Sequence, residues 1–421
     1  MIPVLNKFMP GDTFIPASGQ VVGAREKELM HEAVERGWLT AGAFNAQFET
    51  MLGAYMGNYC KPYTPVRTTN SGSSANLIAF SALTSPTLGD RALKPGDEVI
   101  TVACGFPTTI NPIIQNGCVP VFVDIDSTLN IDTKALREAI TPKTKAIFIA
   151  HTLGNPFNLE EVMDVVYRND LWLIEDCCDA LGATWRGKQK VGTFGHLATF
   201  SFFPAHHVTM GEGGAILVNH EKLLRAVESF RDWGRDCWCA PGKDNTCGRR
   251  FDQQQGQLPC GYDHKYIFTH AGYNLKITEM QAACGVAQME KIEQFVEARR
   301  FNYEYLRQGL DKYAWNLLTP TVYPDATPSW FGFPILLNEV DFDRDTFVRY
   351  LNDNKIGTRL LFAGNVTKQP YMQGREYRVV GDLANSDEVM NNLLWIGVQP
   401  ALTKEMLDYV IEKIDLFMGN F

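Results

Sequence analysis

No apolar stretch in this chain approaches the roughly 18–20 residues that a membrane-crossing helix needs. The opening residues, MIPVLNKFMPGDTFIPASG, lack the basic flank and long apolar run of a secretory signal. Positive charge is in the minority. Lys and Arg number 39 against 48 Asp and Glu, a net charge of -9, which argues against nucleic acid or an anionic membrane as partner. Internal repeats and low-complexity segments are missing too. A cytoplasmic globular protein is expected. Its 45% hydrophobic and 21% charged residues are ordinary for an enzyme, and its 421 residues are many for one core, so two domains are expected.

Cysteine, by contrast, is plentiful: there are ten. Disulfides are disfavoured in the cytoplasm, so clustered cysteines point to metal or redox chemistry. Cys60, Cys104, Cys118 and Cys284 are scattered among apolar neighbours and read as small buried residues. Cys177, Cys178, Cys237, Cys239, Cys247 and Cys260 form a separate group.

From about residue 65 to 290, short apolar runs alternate with helical patterns. EVITVA (98–103), PVFVDI (119–124), AIFIAH (146–151), LWLIED (171–176), ATFSFF (198–203) and AILV (215–218) read as strands. Amphipathic helices are expected at Ser74–Leu83, Thr133–Ala139, Leu159–Asn169 and Lys222–Trp233. The alternation implies an α/β fold with a mainly parallel sheet. A long helical stretch, about 278–310, leads to SWFGFPILL (329–337), a helix near 342–354 and a last helix near 404–418, which suggest a smaller α+β domain. The expected division is 1–290, the large domain, and 291–421, the small one. Residues 237–262 have neither period; a loop this long is usually functional or disordered, and its four cysteines favour function.

Four segments of the large domain carry candidate ligand groups. NSGSSAN (70–76) opens an expected helix, where Gly72 permits close backbone approach and the following amides and hydroxyls suit a phosphate. Helix capping alone would explain it equally well. In LIEDCCDALG (173–182), Asp176 ends a strand, where α/β enzymes place ligand groups; it could also cap a helix. In CGFPTTINP (104–112), Phe106 is either a ring-stacking or a core aromatic. SFFPAHHVTMGEGG (201–214) adds the Ser201 hydroxyl and two adjacent histidines.

In order and spacing, these segments resemble the DegT/DnrJ/EryC1 family of pyridoxal phosphate (PLP)-dependent sugar aminotransferases and dehydratases. The resemblance runs over nearly the whole chain and includes GWLTAG (37–42), GYNLKITEMQAA (272–283) and IGTRLLF (356–362). It implies the aspartate-aminotransferase-like (type I) fold and a homodimer with active sites at the subunit interface. Carried over by position, Gly72, Ser73 and Ser201 hold the phosphate. Phe106 stacks on the ring, Asp176 pairs with its nitrogen, and Asn274 reaches the phosphate from the neighbouring subunit. Arg359 is a weaker candidate for the substrate's nucleotide portion. Asp179 stands where the aminotransferases usually have Gln, with its role open.

The family pattern, roughly S-F-x-x-x-K-x-x-x-x-G-E-G-G, places its cofactor lysine at His206. Lysine would bind the cofactor covalently and act as base; histidine can only act as base. The cofactor would then be held noncovalently as pyridoxamine phosphate (PMP), whose amine condenses with a ketone. Removing a proton from its C4′ expels a β hydroxyl, dehydrating a keto-sugar at C3. His206 is the expected base, with His207 its rival.

Cys237-x-Cys239-x7-Cys247 fits neither paired C-x2–4-C zinc sites nor a C-x-x-C redox site. Its irregular spacing is compatible with an iron–sulfur cluster, which needs four ligands. RDWGRDCWCAPGKDNTC (231–247) resembles the iron–sulfur branch of the family, which acts on CDP-4-keto-6-deoxyglucose in 3,6-dideoxyhexose biosynthesis. That resemblance implies a 2Fe–2S cluster on Cys178, Cys237, Cys239 and Cys247, fed by an NADH-dependent iron–sulfur flavoprotein reductase. The gap from Cys178 to Cys237 is one residue longer than the resemblance requires, which an insertion near Gly187–Lys190 accounts for. Cys260 is the alternative fourth ligand. CDP comes from the resemblance alone, and dTDP stays open. The competing readings are an iron-free dehydratase, an aminotransferase, and a zinc-binding protein on a retired scaffold.

Overall fold

The structure is a computed structural model describing residues 8–57 and 63–420; Cys60 lies outside them. Its centre is an eight-stranded sheet. Seven strands are β1 (Val66–Thr69), β2 (Glu98–Val102), β3 (Val119–Val123), β4 (Thr144–Ala150), β5 (Trp172–Asp176), β6 (Leu197–Ser201) and β7 (Gly214–Val218); the eighth is Arg378–Val379. Their order is β1-β7-β6-β5-β4-β2-β3 and then Arg378–Val379. All pairings are parallel except those of β7 with β1 and β6. β2, β5 and β7 are buried at every position, which is why they read as continuous apolar runs.

A four-stranded antiparallel sheet, with Gly332–Leu337 and Leu393–Gly397 at its centre, forms the second unit. Phe347, Leu351, Leu407 and Ile414 from two helices fill its core. The division expected at 290/291 is crossed in both directions. Phe8 and Ile15 join the second core, while Arg378–Val379 completes the large sheet.

The expected helices appear within a few residues of their expected ends. The stretch near 278–310 is two helices, Glu279–Met289 and Ile292–Gly309. Two earlier helices, Ala24–Glu35 and Ala43–Tyr55, pack on the first of these. Buried Glu279 fixes that docking by accepting backbone N–H bonds from Gly42, Phe44 and Asn45 at 2.7–2.9 Å. Charge-assisted bonds of this kind contribute about 1.5–3 kcal/mol each, and the carboxylate complements the helix N-terminus. Residues 237–262 contain no helix or strand. Gly187–Lys190 lies at the turn of a short hairpin, where an extra residue is readily accommodated.

Candidate active site

Strands β5 and β6 end side by side, and the helix Gly72–Ala82 starts against them. Gly72 is required there: a Cβ would lie 2.4 Å from Ser201 Cβ. Ser71 caps this helix by accepting from the Ser74 N–H at 3.1 Å, so its first amides face the strand ends. The result is a cavity of about 270 Å³ lined by Gly72, Ser73, Phe106, Asp176, Ser201 and His206. Cys178, Asp179 and Arg359 line it too, and the second unit contributes Phe331, Leu360, Phe362 and Trp395.

Asp176 is nearly buried and makes three hydrogen bonds. Oδ2 accepts from Asn76 Nδ2 at 2.9 Å and Thr109 Oγ1 at 2.7 Å, and Oδ1 from the Cys178 N–H at 3.1 Å. All three donors are neutral, and among the described residues no ion pair reaches this carboxylate. A buried charge so held is fixed in place and still lacks a counter-ion, so it suits a protonated ring nitrogen. The turn that follows is not a helix, so Asp176 is not a helix cap. Asn76 and Thr109 were not singled out from the sequence, though both lie inside segments that were. Phe106 is no core aromatic: it is 47% exposed, with its edge contact to Phe362 at 5.9 Å between centroids.

His206 and His207 are separated by the structure. His206 enters the cavity; His207 is buried behind it, with Nε2 2.9 Å from the Ser329 carbonyl. His206 Nδ1 lies 3.4 Å from Asp179 Oδ1, close enough for an ion pair but misaligned as a hydrogen bond. Asp179 Oδ2 is a second buried atom without a partner. Burial, aided by the positive charge of Arg299, pushes His206 down to about 3. Burial beside Asp176 pushes Asp179 up to about 8. Arg299, itself fully buried, donates to the carbonyls of Ala205 and His206 at 3.2 Å. Its other nitrogen reaches those of Trp330 and Phe331 at 3.4 and 3.2 Å, tying the histidine loop to the opposite wall.

Cys237, Cys239 and Cys247 come together elsewhere, around a small crevice also lined by His264, Arg250 and Lys265. Thr246 Oγ1 donates to Cys239 Sγ at 3.0 Å and the Arg249 N–H to Cys247 Sγ at 3.4 Å. Burial raises the Cys239 thiol, but the bond from Thr246 and contacts with its neighbours outweigh it, and its pKa is lowered. Cys178 is not in this crevice. Cys260 is exposed and lines neither site. A larger cavity of about 610 Å³, lined by Trp38, Gly42, Arg67, Arg231 and Lys276, meets Cys237 and Cys239 at its edge. Asn274 lies outside all three; its Oδ1 accepts from Lys276 Nζ at 2.8 Å. Cys104, Cys118 and Cys284 are buried, as expected.

The 270 Å³ cavity fits a pyridoxal cofactor. It offers helix amides and hydroxyls for a phosphate, a buried carboxylate without a counter-ion, an exposed aromatic face, and unpartnered polar atoms on His206 and Asp179. The thiol crevice gathers three thiols, one short of the four ligands that an iron–sulfur cluster needs, with donors aimed at two of the sulfurs.

Such a cavity, at the carboxyl ends of a mainly parallel sheet beside a second α+β unit, defines a PLP-dependent enzyme of the type I fold. The solved structure of an E. coli GDP-4-keto-6-deoxy-D-mannose-3-dehydratase with bound hydrated PLP superposes with a TM-score of 0.84 at 28% identity, over 95% of this chain and 99% of that one. Residues 20–415 match the DegT/DnrJ/EryC1/StrS aminotransferase family, and the chain belongs to it. Lipopolysaccharide biosynthesis protein RfbH of Salmonella typhimurium is 59% identical over 98% of this chain and 94% of its own. The dTDP-4-dehydro-2,6-dideoxy-D-glucose 3-dehydratase of Saccharopolyspora spinosa is 48% identical over 98% and 88%. Among the described residues, no helix is long and apolar enough to cross a membrane.

Proposed function

We propose that the protein dehydrates a nucleotide-linked 4-keto-6-deoxyhexose at C3 with PMP, and that its cysteines would hold a 2Fe–2S cluster able to supply single electrons, drawn from a partner reductase, for reduction to the 3,6-dideoxy sugar. One observation carries the dehydration: the cavity presents His206 and no lysine among its described lining residues. Bound PMP supplies an amine for the substrate ketone and a ring that accepts an electron pair. The chain's residues do the rest. Gly72, Ser73 and Ser201 hold the phosphate, and Asn274 of a second subunit in a homodimer closes over it. Asp176 keeps the ring nitrogen protonated, while Phe106 covers one face. His206, neutral in the free enzyme, takes the C4′ proton and returns it to the departing hydroxyl. Arg359, exposed at the cavity wall, contacts the nucleotide diphosphate.

The relatives named above make a nucleotide sugar the substrate class, and the resemblance of residues 231–247 favours CDP. Cys237, Cys239 and Cys247 hold the cluster, with Cys178 as the fourth ligand and Cys260 as its alternative. The position of Cys178, in the cofactor cavity and apart from the other thiols, favours one second reading: dehydration without iron. An ultraviolet–visible spectrum of anaerobically purified protein, with iron and sulfide analysis, tests both. Visible cluster absorbance with equal iron and sulfide supports the first reading. PMP absorbance alone selects the second, and zinc without iron removes the cluster.

A further inference from the structure

The thiol crevice is one ligand short, and the fourth thiol proposed for it lies elsewhere. Cys237, Cys239 and Cys247 line the crevice, whereas Cys178 lines the cofactor cavity. Neither group is free to travel. Cys178 lies two residues beyond the buried strand β5, and its N–H donates to Asp176 Oδ1 at 3.1 Å. The segment leading into the crevice is zipped to residues 267–274. Asp232 pairs with Asn274 and Arg235 with Phe268 as antiparallel bridges. The Trp233 N–H donates to the Tyr273 carbonyl at 2.6 Å, the Thr269 N–H to the Gly234 carbonyl at 2.8 Å, and the Asp236 N–H to the Ile267 carbonyl at 2.9 Å. Gly234, at φ +82°, is required for this approach: a Cβ there would lie 1.8 Å from the His270 carbonyl oxygen. Joining Cys178 to the crevice within one chain would break this ladder or pull the end of β5 away from the cofactor cavity.

The face that carries the crevice is built for contact. Trp233, Trp238, Phe251, Tyr266 and Phe268 are all exposed on it. The guanidinium of Arg225 lies 4.4 Å from the Trp238 ring centroid and that of Arg235 lies 4.9 Å from the Trp233 centroid. Aromatic and arginine side chains are those enriched where proteins meet. Cys237 and Cys239 also edge the cavity of about 610 Å³ lined by Trp38 and Trp238, which has room for side chains of another chain. Asn274 ends the same ladder, and it is the residue proposed above to reach a second subunit's cofactor. A segment that brings Asn274 there brings the thiols with it, toward the cavity where the second copy keeps its Cys178.

We propose that the cluster site is shared between two copies of the chain: Cys237, Cys239 and Cys247 of one with Cys178 of the other. This rests on the iron–sulfur and homodimer reading above. It supplies the four ligands that one chain does not bring together. A two-fold contact is made twice, so each dimer holds two such sites, each beside the cofactor cavity of the chain that gives Cys178. The site is incomplete in a single chain.

The test uses two differently tagged chains, co-expressed, with mixed dimers isolated through both tags under anaerobic conditions and assayed for iron, sulfide and visible absorbance. In the first mixed dimer, one chain carries Cys178→Ser and the other Cys239→Ser. One shared site then loses two ligands and the other keeps all its ligands. Half the iron of wild type is expected, while the homodimer of either variant holds none. In the second mixed dimer, both substitutions sit on one chain beside a wild-type chain. Each shared site then lacks one ligand, and no cluster is expected. The two mixed dimers contain the same substitutions, so each controls for folding of the other. A cluster held within one chain gives the reverse, none in the first and half in the second, and that result would overturn the proposal. Iron retained by the Cys178→Ser homodimer, or failure of the two tags to purify together, would overturn it as well. A wild type without iron would instead end the iron–sulfur reading itself.

Discussion

Asp179 sets a carboxylate oxygen 3.4 Å from Nδ1 of His206, and the two hold protons in the reverse of their order in water. Burial beside Asp176 raises Asp179 to about 8, while burial near Arg299 lowers His206 to about 3. The free enzyme therefore keeps an uncharged histidine at neutral pH, ready to accept a proton. Once it does, Asp179 is the neighbouring group able to lose one. A Gln at this position could not respond in that way.

The pair makes stability depend on pH. Asp179 titrates near 3.8 when unfolded and near 8 when folded, so between these values the folded state holds a proton that the unfolded chain releases. Its penalty is absent below about 4, grows by at most roughly 1.4 kcal/mol per pH unit, and levels off above about 8. Asp179→Asn should therefore gain Tm over the cofactor-free wild type as pH rises through that window. Scanning calorimetry checks it; a difference that stays flat with pH would contradict the raised value.

Removing the base should separate chemistry from binding. His206→Asn is expected to lower the dehydration rate by about 10²–10⁴ and leave PMP affinity within a few-fold. His206→Lys should bind PLP covalently, retained on borohydride reduction and seen by intact-mass analysis, and should no longer dehydrate. Full dehydrase activity in either variant would remove His206 from the mechanism.

Phosphate binding depends on a close approach. The Cβ added by Gly72→Ala would stand 2.4 Å from Ser201 Cβ, between a strand end and a helix start that have little freedom to part. PMP affinity should fall by at least tenfold in equilibrium dialysis. Asp176→Ala should lose the cofactor as well, because it removes the buried charge facing the ring and leaves Asn76 and Thr109 without their acceptor.

The cysteines make separable predictions. Cys239→Ser should abolish visible cluster absorbance while PMP still binds, since Cys239 does not line the cofactor cavity. Iron content compared between Cys178→Ser and Cys260→Ser identifies the fourth ligand; the account expects the loss in Cys178→Ser.

Six of the large sheet's eight strands were legible because they are mostly buried and read as apolar runs ended by Gly, Pro or Asp, whereas Val66–Thr69, with the sequence VRTT, shows no such run. Other elements were hidden for physical reasons. The helix Pro107–Gln115 contains Pro112, which reads as a breaker. Ala24–Glu35 buries only Glu26, Leu29 and Ala33, too few apolar positions to show a helical stripe. Arg378–Val379 is too short to announce a strand. In the site, Asp176 and Ser201 stood out because they end strands, and His206 because it stands where the family pattern has its lysine. Asn76 and Thr109 matter only through a carboxylate 100 and 67 residues away. Phe331 and Trp395 line the cavity because the second unit closes on it, a relation no local pattern carries.

The most direct test follows oxygen. A nucleotide-linked 4-keto-6-deoxyhexose carrying ¹⁸O at C3 is incubated with the protein and PMP, and the label is traced by mass spectrometry. The account predicts release of ¹⁸O to water with wild type and none with His206→Asn. Retention of the C3 oxygen with appearance of an amino sugar would contradict it and make the protein an aminotransferase.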